Sequence, residues 1–178
     1  HGNERIFRLI KFRTMDNRRD ENGKLLPDSV RLNKYGKMLR NTSLDELPEL
    51  INILKGDMSI IGPRPQLVRD MVFMTDEQRR RHDVRPGLSG LAQVRGRNNI
   101  TWEEKLAYDL EYIKNITFLG DIKIILETLW KAFVKQADIS TEGMETAEDF
   151  GDYLLRVGEV DNDTYTECQE KARELLNV

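Results

Sequence analysis

Apolar positions recur at helical spacing through most of the chain. Leu44, Leu47, Leu50, Ile51 and Leu54 share one face of a predicted helix that Gly56 ends. Ser43 and Glu46 have the Ser-x-x-Glu spacing of a capping box, which starts that helix at Ser43. Pro48 offers a second register. With Asp45 as N-cap, the missing proline N–H falls among first-turn donors that lack a partner anyway. Either register leaves Asp45 and Glu46 at the positive end of the helix, where the macrodipole favours carboxylates. Thr101 and Glu104 repeat the capping box ahead of a helix over 102–115, with Trp102, Leu106, Leu110 and Ile113 as its stripe and Asp109 off it.

Residues 31–40 and 66–82 also read as helical, the latter ending in Arg79, Arg80, Arg81 and His82. That run is a solvated face or a contact for lipid headgroups, and His82 is a surface residue. Residues 121–136 are the most apolar helix, with Ile122, Ile124, Ile125, Leu126, Leu129, Trp130, Phe133 and Val134 beside Lys123, Lys131 and Lys135. Both core packing and an interfacial helix fit that pattern. Residues 5–13 alternate as a strand with Phe7, Leu9, Lys11 and Arg13 on one side, and 16–30 form a charged loop. The stretch 85–97 holds three glycines, which suits either a glycine-rich hairpin or close backbone approach to a ligand. Two short helical patterns, 145–156 and 161–176, close the chain. The expected class is α/β, mostly helical with a small irregular sheet.

Charge divides the chain. Residues 1–137 carry 25 Lys+Arg against 19 Asp+Glu, and residues 138–178 carry 3 against 12. A basic body (1–137) suits phosphates, anionic lipid or nucleic acid, and the acidic helical extension (138–178) suits none of them. The single Cys168 excludes an internal disulfide and a cysteine-based zinc site, and His1 and His82 are too scattered for a metal site or a triad. No run reaches the length of about eighteen apolar residues needed to span a bilayer.

Adjacent acids at a helix start are ordinary. Two neighbours of Asp45 and Glu46 are less so. Arg40 lies just before them, and Arg64 is stiffened between Pro63 and Pro65, a way to aim a guanidinium at phosphate. Acids with arginines point to a divalent cation and a phosphorylated substrate. Arg95 and Arg97 add guanidinium groups in the glycine-rich stretch.

KFRTM at 11–15, SLDELPEL at 43–50, GDMSIIGPRP at 56–65, RPGLSGLAQVRGR at 85–97 and YDLEYIKN at 108–115 resemble the bacterial sugar transferases, the monotopic phosphoglycosyl transferases. The resemblance covers roughly residues 2–135. It implies transfer of a sugar-1-phosphate from a UDP-sugar to a polyprenyl (undecaprenyl) phosphate at the cytoplasmic face of the bacterial membrane, with release of UMP. It also implies Asp45 as nucleophile, a covalent phosphosugar intermediate, and Mg²⁺ at Asp45 and Glu46, with Glu46 holding the ion or managing protons. Lys11, Arg13, Arg40, Arg64 and Arg97 become the candidates for phosphate and nucleotide contacts. In the family a hydrophobic re-entrant helix precedes the point where this sequence begins, so the chain is expected to be a soluble catalytic fragment. A homodimer is left open. Two readings of other classes compete: a non-catalytic membrane-surface scaffold, and a basic nucleic-acid-binding module. The intact acid pair opposes the first. The second lacks a recognisable motif, and the chain's Trp and Tyr residues sit on helix stripes rather than beside basic ones, so no nucleic acid is expected.

Overall fold

The computed structural model describes residues 4–96, 100–134 and 148–177. After a lead-in without helix come α1 (Asp28–Arg31), α2 (Lys34–Asn41), a 3-10 turn (Leu44–Glu46), α3 (Glu49–Lys55) and β1 (Ser59–Ile61). They are followed by α4 (Val68–Met71), α5 (Asp76–Arg79), a second 3-10 turn (Arg80–Asp83), β2 (Gly87–Ser89) and α6 (Leu91–Arg95). α7 (Trp102–Lys114) and α8 (Phe118–Val134) complete the body, and α9 (Phe150–Val157) and α10 (Asn162–Leu176) form the extension. The chain is a mostly helical α/β protein with one sheet of two strands among the described residues.

β1 and β2 run parallel, with Ser59 opposite Gly87 and Ile61 opposite Ser89. The described part of the 85–97 stretch, residues 85–96, is therefore a strand turning into a helix, not a hairpin. Its glycines serve backbone approach: a Cβ on Gly87 would collide with Gly62 N, and one on Gly90 with Gly62 O. Gly62 N donates to Ser89 O at 2.9 Å and Gly87 N to Pro63 O at 2.9 Å, so the turn carrying Arg64 leaves the sheet from a fixed point. Ile61, Val94, Tyr112 and Ile124 pack beneath as one apolar cluster.

Several predicted elements form where local chemistry decides them. α7 begins at the Thr101–Glu104 capping box, and α3 ends at Gly56 with φ 79°, the left-handed conformation that glycine favours. Others do not. Residues 5–13 do not form the expected strand, and a side chain, that of Asn52, bonds Arg8 O and Ile10 N where a neighbouring strand would. The 16–30 loop contains an isolated bridge between Arg19 and Leu25 and the single turn α1. The 66–82 helix is broken in two, and a capping box between Thr75 and Gln78 restarts it as α5.

The extension packs on the body. Phe150 and Leu154 of α9 share one buried cluster with Met74, Trp102 and Leu106. Phe150 N donates to Asp70 Oδ1 at 2.9 Å, Trp102 Nε1 to Glu148 O at 3.1 Å, and Arg69 pairs with Asp149 at 2.6 Å. Among the described residues no helix is long and apolar enough to cross a membrane.

Candidate functional site

α3 buries its polar residues. Glu49 and Asn52, three apart, are 2% and 1% exposed, whereas Leu47, Leu50, Ile51 and Leu54 face outward. The apolar stripe is thus the outer face, because the inner side of α3 meets the polar backbone of the lead-in. Asn52 Oδ1 accepts from Ile10 N at 3.1 Å, and Asn52 Nδ2 donates to Arg8 O at 2.9 Å. Phe12 N donates to Asp45 O at 2.9 Å. Lys11, held between, places its Nζ 3.0 Å from Glu46 Oε1 and 3.0 Å from Glu49 Oε1.

The acid pair does not start an α-helix. Asp45 and Glu46 lie on the 3-10 turn, and Pro48 occupies the N-cap position of α3. Ser43 is left-handed (φ 55°) and its side chain makes no cap bond. The expected capping box fails because Glu46 is drawn elsewhere. Its Oε1 accepts from Lys11 Nζ and, at 2.6 Å, from Arg64 Nη2. Two cationic donors thus take the place of the single backbone N–H that a cap would offer.

Arg64 is braced from behind. Its carbonyl accepts from Arg81 Nη2 at 2.7 Å, and Arg81 is itself paired with Asp109 Oδ2 through Nε (2.9 Å) and Nη2 (2.6 Å). Arg81 is only 1% exposed, which corrects its reading as part of a solvated or lipid-facing run. Its neighbours are occupied too. Arg79 pairs with Glu4, and His82 Nδ1 lies 2.8 Å from Glu4 Oε1, so His82 is a half-buried partner rather than a free surface residue. Asp109 lies among the buried residues of α7, inside rather than beside its stripe.

The remaining predicted residues are spread around this centre. Arg40 Nε donates to Thr14 Oγ1 at 3.1 Å, and its charge reaches Asp45. Arg13 is exposed and makes no ion pair among the described residues. Arg97 lies outside the described residues. Glu49, Asn52, Arg81 and Asp109 were missed. The only hint of them in the sequence was their place within or beside the recognised blocks, since each acts through a residue distant in the chain.

The two adjacent acids are driven apart electrostatically. Burial pushes Asp45 above the usual aspartate range, and the Glu46 charge adds to the rise, with Lys11 and Arg40 opposing. Burial acts on Glu46 as well, but Arg64 and Lys11 outweigh it and hold Glu46 below the usual range. Burial also raises Glu49, against the pull of Lys11. Glu46 is the fixed anion of the site, and Asp45 is a desolvated carboxylate with no ion-pair partner within 4 Å among the described residues.

The donor set fits a hard cation of the Mg²⁺ type. Asp45 and Glu46 supply two adjacent carboxylates, and both bonds on Glu46 fall on Oε1. No group of three or more His, Cys, Asp or Glu forms a metal cage among the described residues. An ion bound through one or two carboxylates and completed by substrate phosphates and water is the usual Mg²⁺ arrangement.

A carboxylate turn is gripped by cations from two distant segments of an α/β protein with one small parallel sheet among the described residues. The chain belongs to the bacterial sugar transferase family, whose model matches residues 1–135. It is 49% identical to the uncharacterized sugar transferase EpsL of Bacillus subtilis (strain 168), over 84% of this chain and 73% of the relative. It is 43% identical to the galactosyl transferase CpsE of Streptococcus agalactiae serotype III (strain NEM316), over 71% of this chain and 31% of the relative. It is also 41% identical to the UDP-glucose:undecaprenyl-phosphate glucose-1-phosphate transferase of Escherichia coli (strain K12), over 73% of this chain and 30% of the relative. The chain therefore spans less than a third of those last two proteins.

Proposed function

We propose that the protein transfers a sugar-1-phosphate from a UDP-sugar to a polyprenyl phosphate, as a step in making an exopolysaccharide or capsule. The observation that carries this reading is the division of labour between Asp45 and Glu46 within a family member. One carboxylate is committed to two cations, and the adjacent one is left desolvated and without an ion-pair partner. The names of the Escherichia coli and Streptococcus agalactiae relatives support the substrate class.

In this reading Asp45 attacks the phosphorus that bears the sugar. The bond from that phosphorus to the bridging oxygen breaks, UMP leaves with the electron pair, and an aspartyl phosphosugar remains. A phosphate oxygen of the polyprenyl phosphate then attacks the same phosphorus, forms the lipid diphosphate sugar and restores the Asp45 carboxylate. Both nucleophiles react as anions, so neither step needs a base. Arg64 and Lys11, both bonded to Glu46 Oε1, would meet the diphosphate, with Arg40 adding positive charge at Asp45. Asp45 and Glu46 would hold Mg²⁺, which when bound offsets the repulsion between carboxylate and diphosphate and stabilises the departing phosphate.

The acceptor is a lipid, and the outer face suits one. Leu50, Ile51 and Leu54 of α3 are exposed near the acid pair, as are Phe12, Leu44 and Leu47. On α8, Phe118, Leu119, Leu126 and Trp130 are exposed while Ile124 is buried, which favours the interfacial reading of that helix. We place this face on the cytoplasmic side of the membrane. Release of UMP across a panel of UDP-sugars, with polyprenyl phosphate in vesicles and Mg²⁺ present, tests the function. No release with any sugar overturns it.

A further inference from the structure

Lys11 carries a flexible side chain on a segment that no strand supports among the described residues. Its position still has to be set, since a displacement of about 1 Å in a positioning group can cost about 100-fold in rate. The residue that sets it is buried and polar. Asn52 Nδ2 donates to Arg8 O at 2.9 Å and Oδ1 accepts from Ile10 N at 3.1 Å, with Nδ2 also 3.4 Å from Asp57 Oδ2. A residue in a parallel ladder bonds its neighbour strand in this way, giving a donor to one residue and an acceptor to the residue two further on. One carboxamide thus does the work of a strand. Beyond Ile10, the Phe12 N–H bond to Asp45 O fixes the far side, and Lys11 lies between the two anchors.

We propose that Asn52 is a positioning residue for the transfer reaction: it stands in for a missing strand and holds the backbone that aims Lys11 at Glu46. The consequence for turnover rests on the transferase reading, whereas the clamp itself does not. Asn52→Asp keeps an acceptor for Ile10 but sets an oxygen against Arg8 O and the Asp57 carboxylate. Ile10→Pro deletes the other bond of the clamp, Ile10 N to Asn52 Oδ1, and leaves Asn52 intact. If Asn52→Asp does not fold, Ile10→Pro carries the test alone.

Two readouts on the full chain separate this role from general stabilisation. In either variant the Phe12 amide is expected to lose at least about 10-fold in hydrogen-exchange protection while α7 amides keep theirs. The kcat/KM for the UDP-sugar is expected to fall about 100-fold. Lys11→Gln made in either background should then add little, because both changes remove one interaction. Full Phe12 protection in the variants overturns the proposal, and so does a Lys11→Gln loss that multiplies with the other. If the unaltered protein turns over no UDP-sugar, the transferase reading fails. Phe12 exchange still decides the clamp, with retained protection overturning it and lost protection upholding it.

Discussion

Arg81 holds Asp109 Oδ2 with two bonds, of 2.9 and 2.6 Å, and both side chains are almost wholly buried. A buried pair like this adds little net stability when intact, yet breaking one side strands the other charge. Asp109→Ala is expected to cost about 3–5 kcal/mol, read from urea unfolding. Replacing both residues together, Arg81→Met with Asp109→Leu, should recover most of that. Because Arg81 also holds the Arg64 carbonyl, the double variant should remain weak in donor binding even with its stability restored.

Arg64 itself should behave in the opposite way. Its guanidinium is partly exposed and bonds Glu46 alone among the described side chains, so Arg64→Ala is expected to cost less than about 1 kcal/mol of stability. Donor affinity should fall at least about 10-fold, as expected for loss of a charge-assisted contact of about 1.5–3 kcal/mol. Calorimetric titration with a UDP-sugar beside an unfolding curve on the same sample compares the two. A large stability loss with unchanged affinity would make Arg64 a brace rather than a ligand.

The roles of the two acids separate by mass. Asp45→Asn preserves size and removes the attacking charge, so it should fold normally and lose turnover by several orders of magnitude. Incubated with UDP-sugar and Mg²⁺ but no lipid acceptor, the unaltered protein should gain the mass of one sugar phosphate on a peptide containing Asp45, and chelation of the ion should suppress that gain. Glu46→Gln should form the adduct slowly, because Lys11 and Arg64 lose their shared anion. An adduct that persists in Asp45→Asn and vanishes in Glu46→Gln would reverse the assignment.

What could be read from the sequence was what neighbouring residues decide. The Thr101–Glu104 cap, the Gly56 stop and the α7 and α8 spans each depend on residues a few positions apart. Most of the failures are long-range, the unread Thr75–Gln78 cap inside the 66–82 helix being a local one. Ser43 and Glu46 have capping-box spacing, but partners 35 and 18 residues from Glu46 take its side chain. Arg81 looks solvated beside Arg79 and Arg80, and only Asp109, 28 residues on, gives it a reason to be buried. The stripe on α3 was correctly seen as one face. Which side that face took depended on Arg8 and Ile10 exposing backbone groups that only a polar side chain can satisfy.

Asp70 makes stability depend on pH. Burial, with Asp149 adding, pushes its carboxyl from 3.8 up to about 6, against the Phe150 N–H bond and Arg69. The folded chain therefore binds this proton more tightly than the unfolded chain does. Its contribution is fully present below about pH 4 and is lost as pH rises to about 6. Relative to Asp70→Asn, the unaltered protein should lose up to about 3 kcal/mol across that interval and no more above it. Unfolding curves from pH 4 to pH 8 check the sign as well as the size.

The extension is expected to matter for folding of the body. Phe150 is 3% exposed, with its ring centroid 5.1 Å from that of Trp102. Phe150→Ala should cost about 3–5 kcal/mol, with Trp102 fluorescence moving to the red as water enters. A cost below about 1 kcal/mol would mean that α9 is held by its polar contacts alone.

The inverted burial of α3 changes how this protein should be engineered. A hydropathy scale would shield Leu50, Ile51 and Leu54 from substitution and treat Asn52 as expendable, and here it would mislead on every position. Leu54, 88% exposed, can become glutamate with little effect on the fold, whereas leucine at position 52 would leave two backbone groups without partners. Charged residues along the outer face are therefore the simplest route to a sample that stays dispersed without detergent. The same changes would leave the contacts of Glu46 with Lys11 and Arg64 intact, so that binding of water-soluble donors could be measured.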